Sequence, residues 1–129
     1  MKMITRPDSI LVTMSKQNIA EWGGLETLDR FFKVHYSGEN DNTFWYKVGK
    51  NLPIHRDLLY VYLVLENEIR WRFNLVCFEE CPDGVELYKN GKPTIFKGNF
   101  VVVSGPLIKA PERFPFKGFQ GFRYSGVIY

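Results

Sequence analysis

The chain has 129 residues, of which 45% are hydrophobic and 16% aromatic; this length and composition exclude disorder and allow one domain whose core needs no disulfide or metal. Its formal net charge of +3 hides an uneven distribution: eight Lys/Arg against seven Asp/Glu in residues 1–57, two against six in 58–88, and seven against one in 89–129. The basic last third holds Lys89, Lys92, Lys97, Lys109, Arg113, Lys117 and Arg123, a composition that attracts polyanions.

Ile10 to Met14 reads as a short buried strand, and Ser15 is placed to cap a helix that Gly23-Gly24 ends or bends. A second helical stretch from Leu25 to about Val34 puts Leu25, Leu28 and Phe31 or Phe32 on one side. His35 to Thr43 is a polar loop of turn-formers. Phe44-Trp45-Tyr46 opens a strand-like run that ends at the turn Gly49 to Pro53.

The middle of the chain carries the clearest pattern. Leu58 to Leu65 is continuously apolar, Glu66-Asn67-Glu68 turns it, and Ile69 to Leu75 alternates with period two. That alternation predicts one buried face of Ile69, Trp71, Phe73 and Leu75, with Arg70, Arg72 and Asn74 opposite, the arginines pairing with Glu66, Glu68, Glu79 or Glu80. Cys81-Pro82-Asp83-Gly84 reads as another turn, and Asn90-Gly91 between Val85–Lys89 and Thr94–Lys97 as a tight hairpin. A strand over Asn99 to Ser104 follows. Prolines at 106, 111 and 115 make Gly105 to Phe116 an extended connection, which delivers the chain to a final strand built from Phe119 to Tyr124 with Val127 to Tyr129.

The predicted architecture is a single α+β domain over residues 1–129. It is a small, mixed, strand-dominant pseudo-barrel with one or two short N-terminal helices, curled because about seven short strands would otherwise leave open edges. The N-terminus lacks a signal-peptide core and no apolar run reaches eighteen residues, so the expected setting is soluble and cytoplasmic. Cys77 and Cys81 form no zinc-ribbon pattern, because His35 and His55 lie in no ligand-spaced cluster; no metal or other cofactor is expected, and the two thiols are expected to be reduced.

The order Tyr46-Lys47-Val48-Gly49-Lys50-Asn51-Leu52-Pro53 before Asp57-Leu58-Leu59-Tyr60-Val61-Tyr62, then Ile69 to Val76, then Gly105-Pro106-Leu107 and Gly118-Phe119-Gln120-Gly121-Phe122-Arg123-Tyr124, resembles the PUA-like superfamily. These small barrels include the PUA, ASCH, EVE and YTH modules, and the resemblance covers roughly residues 44–129. It implies a fold and a class of partner, RNA or nucleic acid carrying a modified base. The ASCH signature Gly-x-Lys-x-x-Glu-x-Arg is absent, so the amidohydrolase activity of some ASCH proteins does not carry over.

Single-stranded or flipped bases are gripped by aromatic faces and by Arg or Lys. Trp45, Lys47, Lys50, Lys117, Gln120, Arg123 and Tyr124 are the candidate nucleic-acid-binding residues, with Gln120 as a reader of base edges because its amide both donates and accepts. Each also has a plain structural role open to it: core packing for Trp45, a solvated surface for the lysines. Phe119 and Phe122 need a bulge to face the same way, so at least one is assigned to packing. Cys77, Cys81, Ser104, Ser125 and Thr13 lack a basic partner or nucleophile elbow, and Glu79-Glu80 point to opposite faces of a strand. The expected function is therefore non-catalytic binding of RNA or a modified base in a pocket near the closing strand and the Phe44 to Lys50 segment. The alternatives are a protein-interaction accessory module of phage or mobile-element type, or an ASCH-like nucleoside-processing enzyme.

Overall fold

A computed structural model describes residues 7–38, 42–49, 51–54, 57–89 and 91–129. Lys50, His55 and Asn90, each singled out above, lie outside the described residues, and Lys89 is described in its backbone alone. The elements are β1 (Ser9–Thr13), α1 (Lys16–Glu21), α2 (Leu25–Tyr36), β2 (Thr43–Val48), β3 (Tyr60–Leu65), β4 (Glu68–Lys89), β5 (Lys92–Lys109) and β6 (Phe122–Ser125). The six strands form one curled, half-barrel sheet in the order β2-β5-β4-β3-β1-β6. Among the described residues only the β1–β3 pair is parallel; every other ladder is antiparallel.

The helical segment forms where its stop signals allow. Ser15 caps α1 by accepting from the Asn18 amide at 3.1 Å. At the other end Gly23 donates to the Ala20 carbonyl and Gly24 to that of Ile19, the paired bonds of a glycine-terminated helix, with φ of 91° and 100° that side chains disfavour. The chain then re-enters α2, whose Leu28, Phe32 and Tyr36, four apart, make a buried stripe. This stripe lies on the concave face of the sheet, against Ile10, Val61, Leu63, Trp71, Phe73, Val101 and Val103. Phe32, fully buried, meets the rings of Trp71, Phe73 and Phe44 edge-on at 5.2 to 5.3 Å.

The convex face has its own core. Leu11, Tyr62, Val64 and Ile69 are covered there by Phe114, Phe116, Phe119, Ile128 and Tyr129. This double cover explains the unbroken apolar run of β3, whose residues from Val61 to Leu65 are buried whichever way they point. The covering chain is tied down by backbone bonds, Ile69 to the Phe114 carbonyl and Phe116 to that of Asn67, both at 2.9 Å. The Tyr62 hydroxyl donates to the Tyr129 carbonyl at 3.0 Å and accepts from the Ile128 amide at 2.8 Å.

Several expectations need correction. Ile69 does not share a face with Trp71 and Phe73: the register shifts between Leu63 and Val64, so Leu63 opposes Trp71 while Val64 opposes Ile69, and the extra residue turns Ile69 to the convex core. Cys81 to Gly84 is no chain reversal. Cys81 pairs with Gly98 and Val85 with Phe96, so three residues on β4 stand against one on β5 and the strand bends but continues. Likewise β5 runs through Gly105-Pro106-Leu107 to Lys109, absorbing them as a bulge opposite Arg72 and Asn74, and the extended connection starts only at Ala110. The final strand is confined to Phe122–Ser125, because Gly121 turns the chain at φ 77° and residues 126–129 leave the sheet to cover Tyr62. Among the described residues the expected seven or so short strands are thus six, two of them long. Arg70 pairs with Glu66 and Glu68 as expected, at 3.7 and 3.3 Å, whereas Arg72 stacks its guanidinium over the Tyr60 ring at 4.2 Å and donates to the Tyr129 carbonyl.

Candidate functional site

β2 is an edge strand, so one side of its backbone looks away from the sheet, and its alternation sends neighbouring side chains to opposite faces. Phe44, Tyr46 and Val48 turn to the concave core. Trp45 and Lys47 turn outward, opposite Val102 and Phe100 of β5, and the Trp45 ring packs on Phe100 at a centroid distance of 5.8 Å. A cavity of about 370 Å³ lies at this strand and is lined by residues of both its faces, Phe44 and Tyr46 with Trp45 and Lys47. The helices supply Asn18, Trp22, Phe31 and Tyr36; the bent outer part of the β4–β5 hairpin supplies Glu86, Leu87, Tyr88 and Phe96 as a facing wall. Nine of the lining residues are aromatic: Trp22, Phe31, Tyr36, Phe44, Trp45, Tyr46, Tyr88, Phe96 and Phe100.

Two charged residues are among the lining, Lys47 of β2 and Glu86 of the arm, and both side chains are exposed. Among the described residues neither makes an ion pair, with the other or with anything else. The Lys47 stem lies across β5 at Gly98, where a Cβ would stand 2.9 Å from its Cε. Gly98 therefore provides the groove in which the lysine rests, and its φ of 131° belongs to the same bend that tilts the arm. Inside the cleft the phenols are held neutral. Burial pushes Tyr36 up to about 12 and Tyr46 higher still, and both donate to backbone carbonyls, Tyr36 to Thr43 at 2.9 Å and Tyr46 to Thr13.

The predicted binding residues fall into two groups. Trp45 and Lys47 line the cleft; Lys117, Gln120, Arg123 and Tyr124 belong to the other edge of the sheet, in or just before β6. Curling brings these edges together at one point, where a Cβ on Gly49 would lie 3.8 Å from the Gly121 Cα. Lys117, Gln120 and Arg123 are exposed there. Arg123 lays its guanidinium on the Phe119 ring at 4.6 Å, and the Tyr124 hydroxyl accepts from the Ile54 amide at 2.7 Å. Phe119 and Phe122 both pack, on opposite faces: Phe119 against the convex core and Phe122 against the concave one. The basic last third does not converge on one surface, since Lys92 opens β5 and Lys109 closes it, at opposite ends of 18 residues of strand.

Sequence reasoning missed Glu86, Tyr88, Phe96, Trp22 and Phe31 as companions of Trp45. Tyr88 and Phe96 stand on either side of the Asn90-Gly91 pair in the sequence, a visible signal for an aromatic hairpin, but the bend in the arm that carries them depends on the ladder shift beyond Cys81. The cysteines offer no nucleophile. Burial and the neighbouring Glu79 push the Cys77 thiol up, and four residues of strand separate it from Cys81 by ~13 Å, too far for a disulfide. Both are free thiols. Among the described residues no cluster of three or more His, Cys, Asp or Glu is placed to hold a metal, and no helix is long and apolar enough to cross a membrane. No protein-family model matches the chain, and neither a curated protein nor a solved structure matches it.

Proposed function

We propose that the chain is a non-catalytic nucleic-acid-binding module of the PUA-like kind, which takes one unpaired or flipped base of RNA or modified DNA into the cleft along β2. The observation that carries this reading is the cavity of about 370 Å³ with nine aromatic residues and Lys47 in its lining. Small-molecule sites span about 300–1,000 Å³, so this cavity suits a single nucleoside and is too small for a duplex. Aromatic faces hold bases by stacking, at ~1–3 kcal/mol per base, and the Lys47 ammonium provides a charge for the adjoining phosphate. Flanking nucleotides leave the cleft along β2 toward the Gly49–Gly121 approach, where Lys117, Gln120 and Arg123 stand exposed. This reading gives both groups of predicted residues a role, the first on the base and the second on the backbone.

The test is a fluorescence titration with short single-stranded RNA and modified DNA. At about 50 mM salt the expected affinity is micromolar, and Trp45→Ala weakens it at least about tenfold, in line with loss of one stacked base. Lys47→Ala weakens binding across sequences and reduces the salt slope by about one phosphate contact. Absence of binding to every nucleic acid at that salt concentration rejects the proposal. One observation favours a second reading, a protein-interaction module: Tyr88 and Ile95 on the arm are 73% and 60% exposed. Salt-tolerant capture of a protein, with no nucleic-acid binding, would decide for it.

A further inference from the structure

β2 ends the sheet, with β5 on its paired side, and five consecutive residues of it, Thr43 to Lys47, line the cavity. Successive strand residues send their side chains to opposite faces, so what these five share toward the cavity is the backbone of the unpaired edge. The ladders decide which residues turn their N–H and C=O groups to that edge. The Leu75 amide donates to the Leu59 carbonyl at 3.0 Å, on the β3 side of β4. Leu75 stands opposite Val103 of β5, and Val103 opposite Phe44 of β2. An antiparallel strand turns the groups of one residue to one neighbour and those of the next residue to the other. Val103 therefore bonds toward Phe44, and Thr43, Trp45 and Lys47 turn their groups to the free edge. The Tyr36 hydroxyl agrees with this at the start of the strand, where it donates to the Thr43 carbonyl at 2.9 Å. Trp45 and Lys47 are left, ~7 Å apart, a length that suits a planar base and is short for a ladder with an added peptide strand.

We infer that the main chain of Trp45 reads the base. This rests on the base-binding reading above and deepens it. The Trp45 N–H donates to a carbonyl oxygen or ring nitrogen on the pairing edge of the base, and the Trp45 C=O accepts from the N–H group beside it. One residue of an added strand would exchange the same two bonds. A base bonded in this way lies near the plane of the sheet, and aromatic residues line the cavity from either side of that plane, Phe44 and Tyr46 on one and Trp45 on the other. Unstacked bases are commonly held through their pairing edges, and each of the four carries a donor next to an acceptor there. The site therefore tolerates different bases but needs the edge free. Its substrate class is the unpaired nucleotide unmodified on the pairing edge; a base in a duplex, or a pyrimidine methylated at N3, is excluded.

Tryptophan fluorescence titration at about 50 mM salt tests the inference with short single-stranded RNAs of uridine, 5-methyluridine or 3-methyluridine. Both modified strands carry the same added methyl group, but only the 3-methyl group replaces the donor on the pairing edge. The 5-methyl strand is expected to bind like the uridine strand, and the 3-methyl strand about tenfold or more weakly, as two bonds are lost. Amide hydrogen exchange gives a second measurement: the uridine strand slows exchange at Trp45, while the Tyr46 amide, turned to β5, keeps its rate. Equal binding of the 3-methyl and uridine strands overturns this inference and leaves the base-binding reading standing. Discrimination without slower exchange at Trp45 also overturns it, because another group then reads the edge. So does failure of the uridine strand to bind a protein that binds other single strands. Failure of every single-stranded nucleic acid to bind overturns both readings.

Discussion

Gly98 shows how one residue can serve both backbone and site. Its φ of 131° is a conformation that L side chains rarely adopt, and the space over its Cα is filled by the Lys47 stem. Gly98→Ala would meet only the far end of a flexible side chain, so the steric contact is relieved cheaply; the backbone strain is not. The variant is expected to lose ~1–3 kcal/mol of stability in urea denaturation. It should also lose nucleotide affinity beyond that, because Lys47 is displaced from its groove. Lys47→Ala is the comparison: it should lose affinity without the stability cost, since an exposed lysine away from ion pairs contributes little to folding.

Among the elements, the C-terminal cover and the bent arm have opposite characters. The cover is tied by specific polar bonds, and the Tyr62 hydroxyl is its centre, joined to the carbonyl of Tyr129 and to the amides of Ile128 and Tyr129. Tyr62→Phe preserves the buried ring and removes all three bonds. Because the amides and carbonyl it frees are part-buried, the expected cost is ~1–3 kcal/mol. Hydrogen exchange at Ile128 and Tyr129 should accelerate while the amides of β3 keep their protection. The arm is instead held by ladder pairing between β4 and β5 and carries large exposed side chains, Tyr88 and Ile95. Its role is to wall the cleft, and its position follows from the bulge between Cys81 and Val85.

The whole molecule is a curled sheet covered on both faces, and its burial of phenols has a measurable consequence at high pH. Tyr36 is pushed up to about 12 by burial, and Tyr46 and Tyr129 rise for the same principal reason, with Tyr62 adding to Tyr129 and Arg72 opposing. In the unfolded chain these phenols ionise near the ordinary value of 10.0, so between 10 and 12 the folded state retains protons that the unfolded state has lost. The contribution of these phenols to stability is therefore constant below pH 10 and is lost as pH rises from there. Urea midpoints across that range should drop, and phenolate absorbance from these residues should appear together with unfolding. A midpoint that stayed constant up to pH 12 would contradict the burial of these hydroxyls.

Local chemistry determined the elements of this protein. The caps at Ser15 and Gly23-Gly24, the apolar run that became β3 and the aromatic start of β2 each depend on neighbours a few residues away, and all were legible in the sequence. The candidate site was half legible, because Trp45 and Lys47 share one strand and one face by simple alternation. Tertiary structure decided the rest. Ladder shifts at Leu63–Val64 and Cys81–Val85 set which face Ile69 occupies and where Glu86 and Tyr88 point, and a shift is a property of two strands together. Closure of the curled sheet likewise brought Gly49 to Gly121, and the 18 residues of β5 separated cations that lie together in the last third of the chain. Pairing and curvature act between segments distant in sequence, so composition could state the charge of that last third but not the surface on which it falls.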